Sequence, residues 1–186
     1  MGIFLALVHH PVLNRHGEVS STAVTNVDLH DLGRAGRTYG VNRFFVVTPI
    51  DLQRELVGRV IRHWADGPGS KSPSRQQAFD RIEVAASIDQ AVERVSEITG
   101  EKPLIAVTGA SLVDDTTPFS EVTAMIRNSG SPILLLFGTG WGLAPEVIER
   151  ANIRLPAISG PEGPLGYNHL SVRAAAVIVL DRLLGE

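Results

Sequence analysis

The stretch that most constrains this chain runs from Pro132 to Val147. Ile133 to Phe137 is short, branched and wholly apolar, as suits a strand buried on both faces. Gly138, Gly140 and Gly142 follow at alternate positions. They allow positive φ and let another molecule approach the main chain. Pro145 then stands where a helix would begin and where its missing N–H costs nothing. Strand, glycine loop and helix in that order predict a small-molecule site at the strand's carboxyl end, where open α/β sheets hold their ligands.

The rest of the chain repeats the strand–helix alternation. Apolar runs at 3–8, 43–48, 81–86, 103–107 and 153–158 read as buried strands. Amphipathic stretches at 26–39, 50–64, 87–98, 119–128, 144–150 and 169–184 read as helices. Val27, Leu29, Leu32 and Ala35 supply the apolar face of the first helix, and Gly40 ends it. The alternation predicts an α/β fold with a mostly parallel sheet covered by helices on both faces. With 186 residues and 44% hydrophobic content, a single domain over 1–186 with a substantial core is expected. Residues 66–77, rich in Gly, Pro and Ser, read as a surface loop in which Lys71 and Arg75 could touch phosphate. The last helix carries Val172, Ala174 to Leu180 and little polar surface, so it should be covered all round. Its own sheet and a second copy of the chain can do that, and a homodimer through this helix is expected.

Charge and composition narrow the chemistry. The net charge of −3 does not advertise a nucleic-acid binder. Yet the only lysines are Lys71 and Lys102, and the remaining basic residues are arginines, which suit bidentate phosphate contacts. The absence of cysteine excludes thiol chemistry and fits a reducing compartment. The apolar start, Met1 to Val8, is too short for a signal peptide or membrane span, so a cytoplasmic location without a membrane segment is expected. His9, His10 and His16 match no zinc spacing, and no metal is expected. His9 and Asn14 are better read as strand-end groups that hydrogen-bond a substrate. Arg34 and Arg37 lie one turn apart on the first helix and point the same way.

Three loops converge on one site in this reading: Thr108 to Ser111, Gly138 to Leu143, and Gly160 to Asn168. They are small, glycine-rich and poor in charge, so they suit a ligand gripped by backbone groups, such as an adenine ring or a small zwitterion. No Lys follows the glycines, which excludes a P-loop. The order G-x-G-x-G, late in the chain, does not match a dinucleotide fingerprint, and no G-x-S-x-G elbow is present.

Taken together, Leu135 to Val147 resembles the glycine loop of the SPOUT (SpoU–TrmD) class of S-adenosylmethionine-dependent RNA methyltransferases. Tyr167 to Ala176 resembles their C-terminal cofactor motif, and Asp28 to Val41 is similar to the first SpoU motif. Three positions depart from the pattern: no Glu follows Thr139, His169 stands where Asn is usual, and Asp28 replaces the first motif's Asn. The resemblance implies a deep C-terminal trefoil knot and S-adenosylmethionine as cofactor, with tRNA or rRNA as methyl acceptor. Thr108, Gly109, Leu136, Phe137, Gly138, Gly140, Gly142, Leu143, Ile158, Gly160, Tyr167, Leu170 and Ser171 would hold the cofactor. Arg34 and Asn168 would serve catalysis, and His9, Asn14 and Arg37 would face the substrate. A reading from another class is a non-catalytic module holding a nucleotide or RNA on the same scaffold.

Overall fold

The computed structural model describes residues 2–112, 114–161 and 167–185. Its sheet is built from β1 (Ile3–Val8), β4 (Arg43–Val47), β5 (Ile82–Ala85), β6 (Leu104–Thr108), β7 (Ile133–Gly138) and β8 (Ile153–Arg154). The spatial order is β5-β4-β1-β7-β6-β8, and every pairing is parallel. β1 and β7 lie side by side at the centre with Val8 opposite Gly138. The glycine loop therefore leaves the middle of the sheet at its carboxyl edge.

Side chains of β1 alternate between two apolar layers, as the two-residue repeat of a strand requires. Ile3, Leu5 and Leu7 pack with Leu29 and Leu32 of α1 (Asn26–Thr38) and Val57 of α2 (Asp51–Ala65). The same layer takes Phe79 of α3 (Pro73–Phe79), Val122 of α5 (Phe119–Asn128) and Ala176, Val179, Leu180 and Leu183 of α7 (Val172–Leu184). Phe4, Ala6 and Val8 face the other way, onto Ala91 and Val95 of α4 (Ile88–Thr99) and Val147 of α6 (Pro145–Glu149). The mostly parallel sheet with helices on both faces is thus present.

The helix that frames the site has well-defined ends. The Thr25 hydroxyl accepts from Asp28 N at 3.3 Å and donates to the Asp28 carboxylate at 2.6 Å, so cap and first-turn acid fix each other. At the far end Gly40 takes φ +74°, while Val41 N–H donates to Gly36 O at 2.8 Å. That closes the last carbonyls in the Schellman manner.

Five expectations need correction. Residues 66–77 are not loop: Pro68–Lys71 forms a 3₁₀ turn and α3 follows from Pro73. Pro73 supplies the first helical turn, and Ala78 and Phe79 are buried, so apolar packing at the end of the segment outweighs its Gly/Pro composition. The polar stretch after β1 contains a small antiparallel hairpin, β2 (Val12–Leu13) with β3 (Val19–Ser20). The strand expected to run to Ile158 stops at Arg154, and the last helix begins at Val172 rather than near His169. Val27 is exposed, because the helix buries the arc through Leu29, Leu32, Gly33 and Gly36. In the single chain the last helix is covered on one side only: Val177 is 37% exposed.

Candidate active site

A cleft of about 1050 Å³ opens over the carboxyl ends of β6 and β7. Parallel sheets concentrate ligand sites at this edge. Thr108 and Gly109 form one wall. Phe137, Gly138, Gly140, Gly142 and Leu143 form the second. Ile158, Asn168, Leu170 and Ser171 form the third. The first two loops grouped from the sequence meet here; of the third, Gly160 to Asn168, residues 162–166 lie outside the described residues and Asn168 reaches the cleft.

Other named residues lie elsewhere. Leu136 is fully buried within the sheet, in the layer shared with α4 and α6. Gly160 and Tyr167 are not among the lining residues, and Tyr167 is 84% exposed. Arg34 and Arg37 are exposed on α1, outside the cleft. Asn14 caps the hairpin turn: its Oδ1 accepts from His16 N at 2.8 Å and Glu18 N at 3.1 Å, and its amide donates to Glu18 Oε2 at 3.0 Å. The three histidines of this region do not converge. His9 contacts Thr22, His10 lies 3.2 Å from Ser20 O, and His16 accepts from Arg15 at 2.9 Å.

The glycine loop is held by the hairpin. Leu13 N donates to Gly142 O at 2.9 Å, Trp141 N donates to Leu13 O at 3.0 Å, and Val12 bridges Leu143. This clamp explains two of the glycines. A Cβ on Gly138 would sit 2.6 Å from Leu143 N, and one on Gly140 (φ +62°) would sit 2.9 Å from Leu13 O. Gly142, at φ +105°, has open space where its Cβ would be. The first two glycines admit the protein's own backbone, and Gly142 is the one that leaves room for another molecule.

A second lock runs through hydroxyls. Thr139 Oγ1 donates to Val8 O at 3.0 Å and also meets Thr22 Oγ1, which lies 2.9 Å from His9 Nδ1. One proton per oxygen is conserved when His9 Nδ1–H donates to Thr22 and Thr22 donates to Thr139. His9 is fully buried, and its Nε2 has no partner among the described residues. Burial pushes its pKa down to about 4, against a smaller opposing pull from Asp28. His9 therefore acts as a neutral strut behind the cleft.

Three charged residues to which the sequence reading gave no site role also line the cleft: Asp28, Glu149 and Arg173. Asp28 is 5% exposed and accepts from Arg173 Nη1 at 2.6 Å. Arg173 Nε also reaches Asp31 at 3.3 Å, so one guanidinium bridges two turns of α1. The hydrogen bond to Asp28 raises the Arg173 pKa above its usual value. The spacing of Asp28 and Asp31 on one helix was the available signal, but acids near a helix start are common because they suit its dipole. Trp141 stands at the cleft rim, 67% exposed.

A family model described as SAM-dependent RNA methyltransferase matches residues 2–185. The chain belongs to that family. It is 44% identical over 185 residues to a protein of Nitratidesulfovibrio vulgaris named tRNA (guanine-N(1)-)-methyltransferase. That match covers 99% of this chain but 42% of the relative, so the chain spans less than half the length of such relatives. An uncharacterized protein of Aquifex aeolicus is 34% identical, with 99% of this chain and 89% of that one covered. Among solved structures, a probable methylase family protein from Haemophilus influenzae aligns with TM-score 0.63 at 19% identity, over 97% of this chain and 64% of the other. A TrmH/SpoU tRNA modifying enzyme of A. aeolicus aligns with TM-score 0.54 at 17% identity, over 98% and 73%. These structural likenesses establish the shared fold.

Family membership implies S-adenosylmethionine as methyl donor. The cleft fits such a group. Apolar Phe137, Leu143, Ile158 and Leu170 offer a slot for an adenine ring, and the main chain is open at Gly142. No lysine lines the cleft to hold a polyphosphate.

The His9 strut makes a pH prediction. Its folded pKa is lowered, so the unfolded chain binds the extra proton first, and stability is lost as pH falls from about 6.5 toward about 4. Urea denaturation at pH 7 and pH 5 should show the native protein losing roughly 1–2 kcal/mol more than His9→Asn over that interval. Equal losses in the two proteins would show that His9 is not buried neutral.

Proposed function

We propose that this chain transfers a methyl group from S-adenosylmethionine to RNA, tRNA or rRNA, in the cleft over β6 and β7. The carrying observation is the three-walled, lysine-free cleft around Gly142 in a chain of the SAM-dependent RNA methyltransferase family. When bound, S-adenosylmethionine supplies an electrophilic methyl: the acceptor atom bonds to it, the carbon–sulfur bond breaks toward S-adenosylhomocysteine, and the acceptor's proton leaves to solvent. The protein contributes position and electrostatics. Thr108, Gly109, Gly142 and Leu143 grip the adenosine through backbone and apolar contacts, and Ile158, Leu170 and Ser171 close the third side. Phe137, Gly138 and Gly140 shape that pocket, with Leu136 beneath them and Gly160 and Tyr167 at the outer turn of the third loop. Asn168 orients the acceptor. Arg34, exposed on α1 outside this cleft beside Arg37, binds RNA phosphate and so helps position the acceptor. His9, buried behind the cleft, and Asn14, in the hairpin turn, act indirectly by holding the hairpin that clamps the glycine loop rather than by touching substrate.

The relatives' name favours tRNA as the first RNA to test. Its guanine-N1 specificity is not carried over, because more than half of those proteins lies outside the match. The missing Glu after Thr139 favours one second reading, a non-catalytic module that binds the cofactor or RNA without transfer.

The fold proposed is a single SPOUT-like domain over 1–186 with a deep trefoil knot. Two crossing contacts support it: Thr117 N donates to Arg154 O at 2.8 Å, and Ala157 N donates to Leu112 O at 3.3 Å. α7 itself packs on α1, α5 and β7. The functional unit proposed is a cytoplasmic homodimer through α7, where Val177 remains exposed beside half-buried Ala174 and Ile178. Among the described residues, no helix is long and apolar enough to cross a membrane.

Thermal shift tests the site directly. S-adenosylmethionine and S-adenosylhomocysteine should each raise the Tm by several degrees at saturation, and NAD should not. Arg34→Ala should keep the S-adenosylhomocysteine shift and lose at least about tenfold in methyl transfer. No shift with either compound contradicts the proposal, and a lost shift in Arg34→Ala removes the role given to that residue. For the dimer, Val177→Glu should convert a two-chain species to a one-chain species by light scattering. A dimer unchanged in mass places the interface elsewhere.

A further inference from the structure

The segment that read as loop builds a feature that the cleft does not use. Gly67 and Gly69 let the chain fold tightly over the end of α2: a Cβ on Gly69 would lie 2.6 Å from the Trp64 ring and 2.9 Å from His63 O. Trp64 stacks on Phe79 at 5.9 Å and meets the edges of His63 at 5.0 Å and His30 at 5.1 Å. The Arg75 guanidinium lies 5.0 Å over the Trp64 ring and donates to His30 Nδ1 at 2.6 Å. His30 is neutral in that contact. Burial, Arg75 and Arg34 hold its pKa below the usual value against a smaller pull from Asp31. The result is a fixed ledge of aromatic rings and cations, formed by α1, α2, the 3₁₀ turn and α3.

The cations on this ledge are not neutralised by partners. Arg34, Arg62, Lys71 and Arg75 make no ion pair among the described residues, and Arg34, Arg62 and Lys71 are exposed. Asp66 and Asp80 follow the C-terminal ends of α2 and α3, and Asp31 acts on His30, so four cations stand against three acids on a chain whose total is −3. Its position is also specific. Asp28 and Thr25, at the start of α1, line the cleft. Arg34 stands six residues further on, about 9 Å along the helix axis. The ledge lies on the α3 side of α1, where Gly33 meets Ile82 and Ala78. The opposite flank, through Asp28, Asp31 and Tyr39, meets Arg173 and Asp181 of α7.

We infer that this ledge docks the RNA substrate, with Arg34, Arg62, Lys71 and Arg75 binding consecutive phosphates along a path that leads over α1 to the cleft. The inference rests on the RNA methyltransferase reading and adds where the RNA lies. Arginine and lysine side chains without acidic partners suit a nucleic-acid strand, whose phosphates pair with the cations. The ledge leaves the α7 flank open for a second copy of the chain.

The test measures binding of fluorescein-labelled, unmodified tRNA transcripts and rRNA fragments by anisotropy from 50 to 200 mM KCl. The Arg62→Ala/Lys71→Ala protein is compared with native protein and with Lys102→Ala/Arg127→Ala, which removes the same charge from exposed sites elsewhere. The ledge variant should lose at least about tenfold in RNA affinity at 100 mM salt, and its salt slope should fall by about 1.4, the loss of two phosphate contacts. The control variant should match native protein, and S-adenosylhomocysteine affinity should be equal in all three. A ledge variant that binds RNA like the control overturns the inference. Native protein that binds S-adenosylhomocysteine but neither RNA class overturns the RNA reading, and the ledge with it.

Discussion

The close approach of Gly138 to Leu143 N is the constraint on which the rest of the site depends. Only a residue without Cβ can stand there, because a methyl would lie 2.6 Å from that backbone nitrogen. The loop that follows is then pinned from the other side by the hairpin, through Leu13 and the Gly142 and Trp141 backbone. Buried main-chain groups find partners in this clamp, so the loop is rigid without spending its outward face. That face, at Gly142, is left open to the cleft. A hydroxyl chain from His9 through Thr22 and Thr139 to Val8 O ties the same loop to the end of β1. The cleft is therefore preorganised by contacts behind it, which is how a site that relies on position would be built.

Helix α1 links the cleft to the rest of the molecule. One arc packs on the sheet through Leu29 and Leu32. A second carries Asp28 and Asp31 to Arg173, joining the cleft edge to α7. A third carries His30 to Arg75 and Trp64. One amphipathic helix thus connects the cleft, the α7 flank and the ledge proposed to dock RNA. Substitutions on its different arcs should separate these roles, because the arcs touch different partners.

Much of this was legible in the sequence where a periodic signal was strong. The strands of the central sheet are continuous apolar runs, and Ile133 to Phe137 was readable as buried on both faces for that reason. Capped helices such as the one after Ser87 were legible because Ser, a following amphipathic repeat and Gly100 mark both ends. The three loops could be grouped because each reads as following an apolar run and all are glycine-rich and poor in charge. Illegible features depended on distant packing. Nothing local in 66–77 reveals that Phe79 and Trp64 will bury its far end. Asp28 and Arg173 are 145 residues apart, and only the fold makes them a pair. The glycines looked equivalent in sequence, whereas Gly138 and Gly140 serve the protein's own backbone and Gly142 faces open space.

The account stands or falls on methyl transfer through the β6–β7 cleft. The most direct measurement incubates the protein with methyl-labelled S-adenosylmethionine and RNA from a strain lacking its gene, then maps the labelled nucleotide. The account predicts label in one discrete nucleotide of tRNA or rRNA, and none in RNA from cells that carry the gene. Cofactor binding with no label in any RNA would contradict it and leave a binding module on this scaffold.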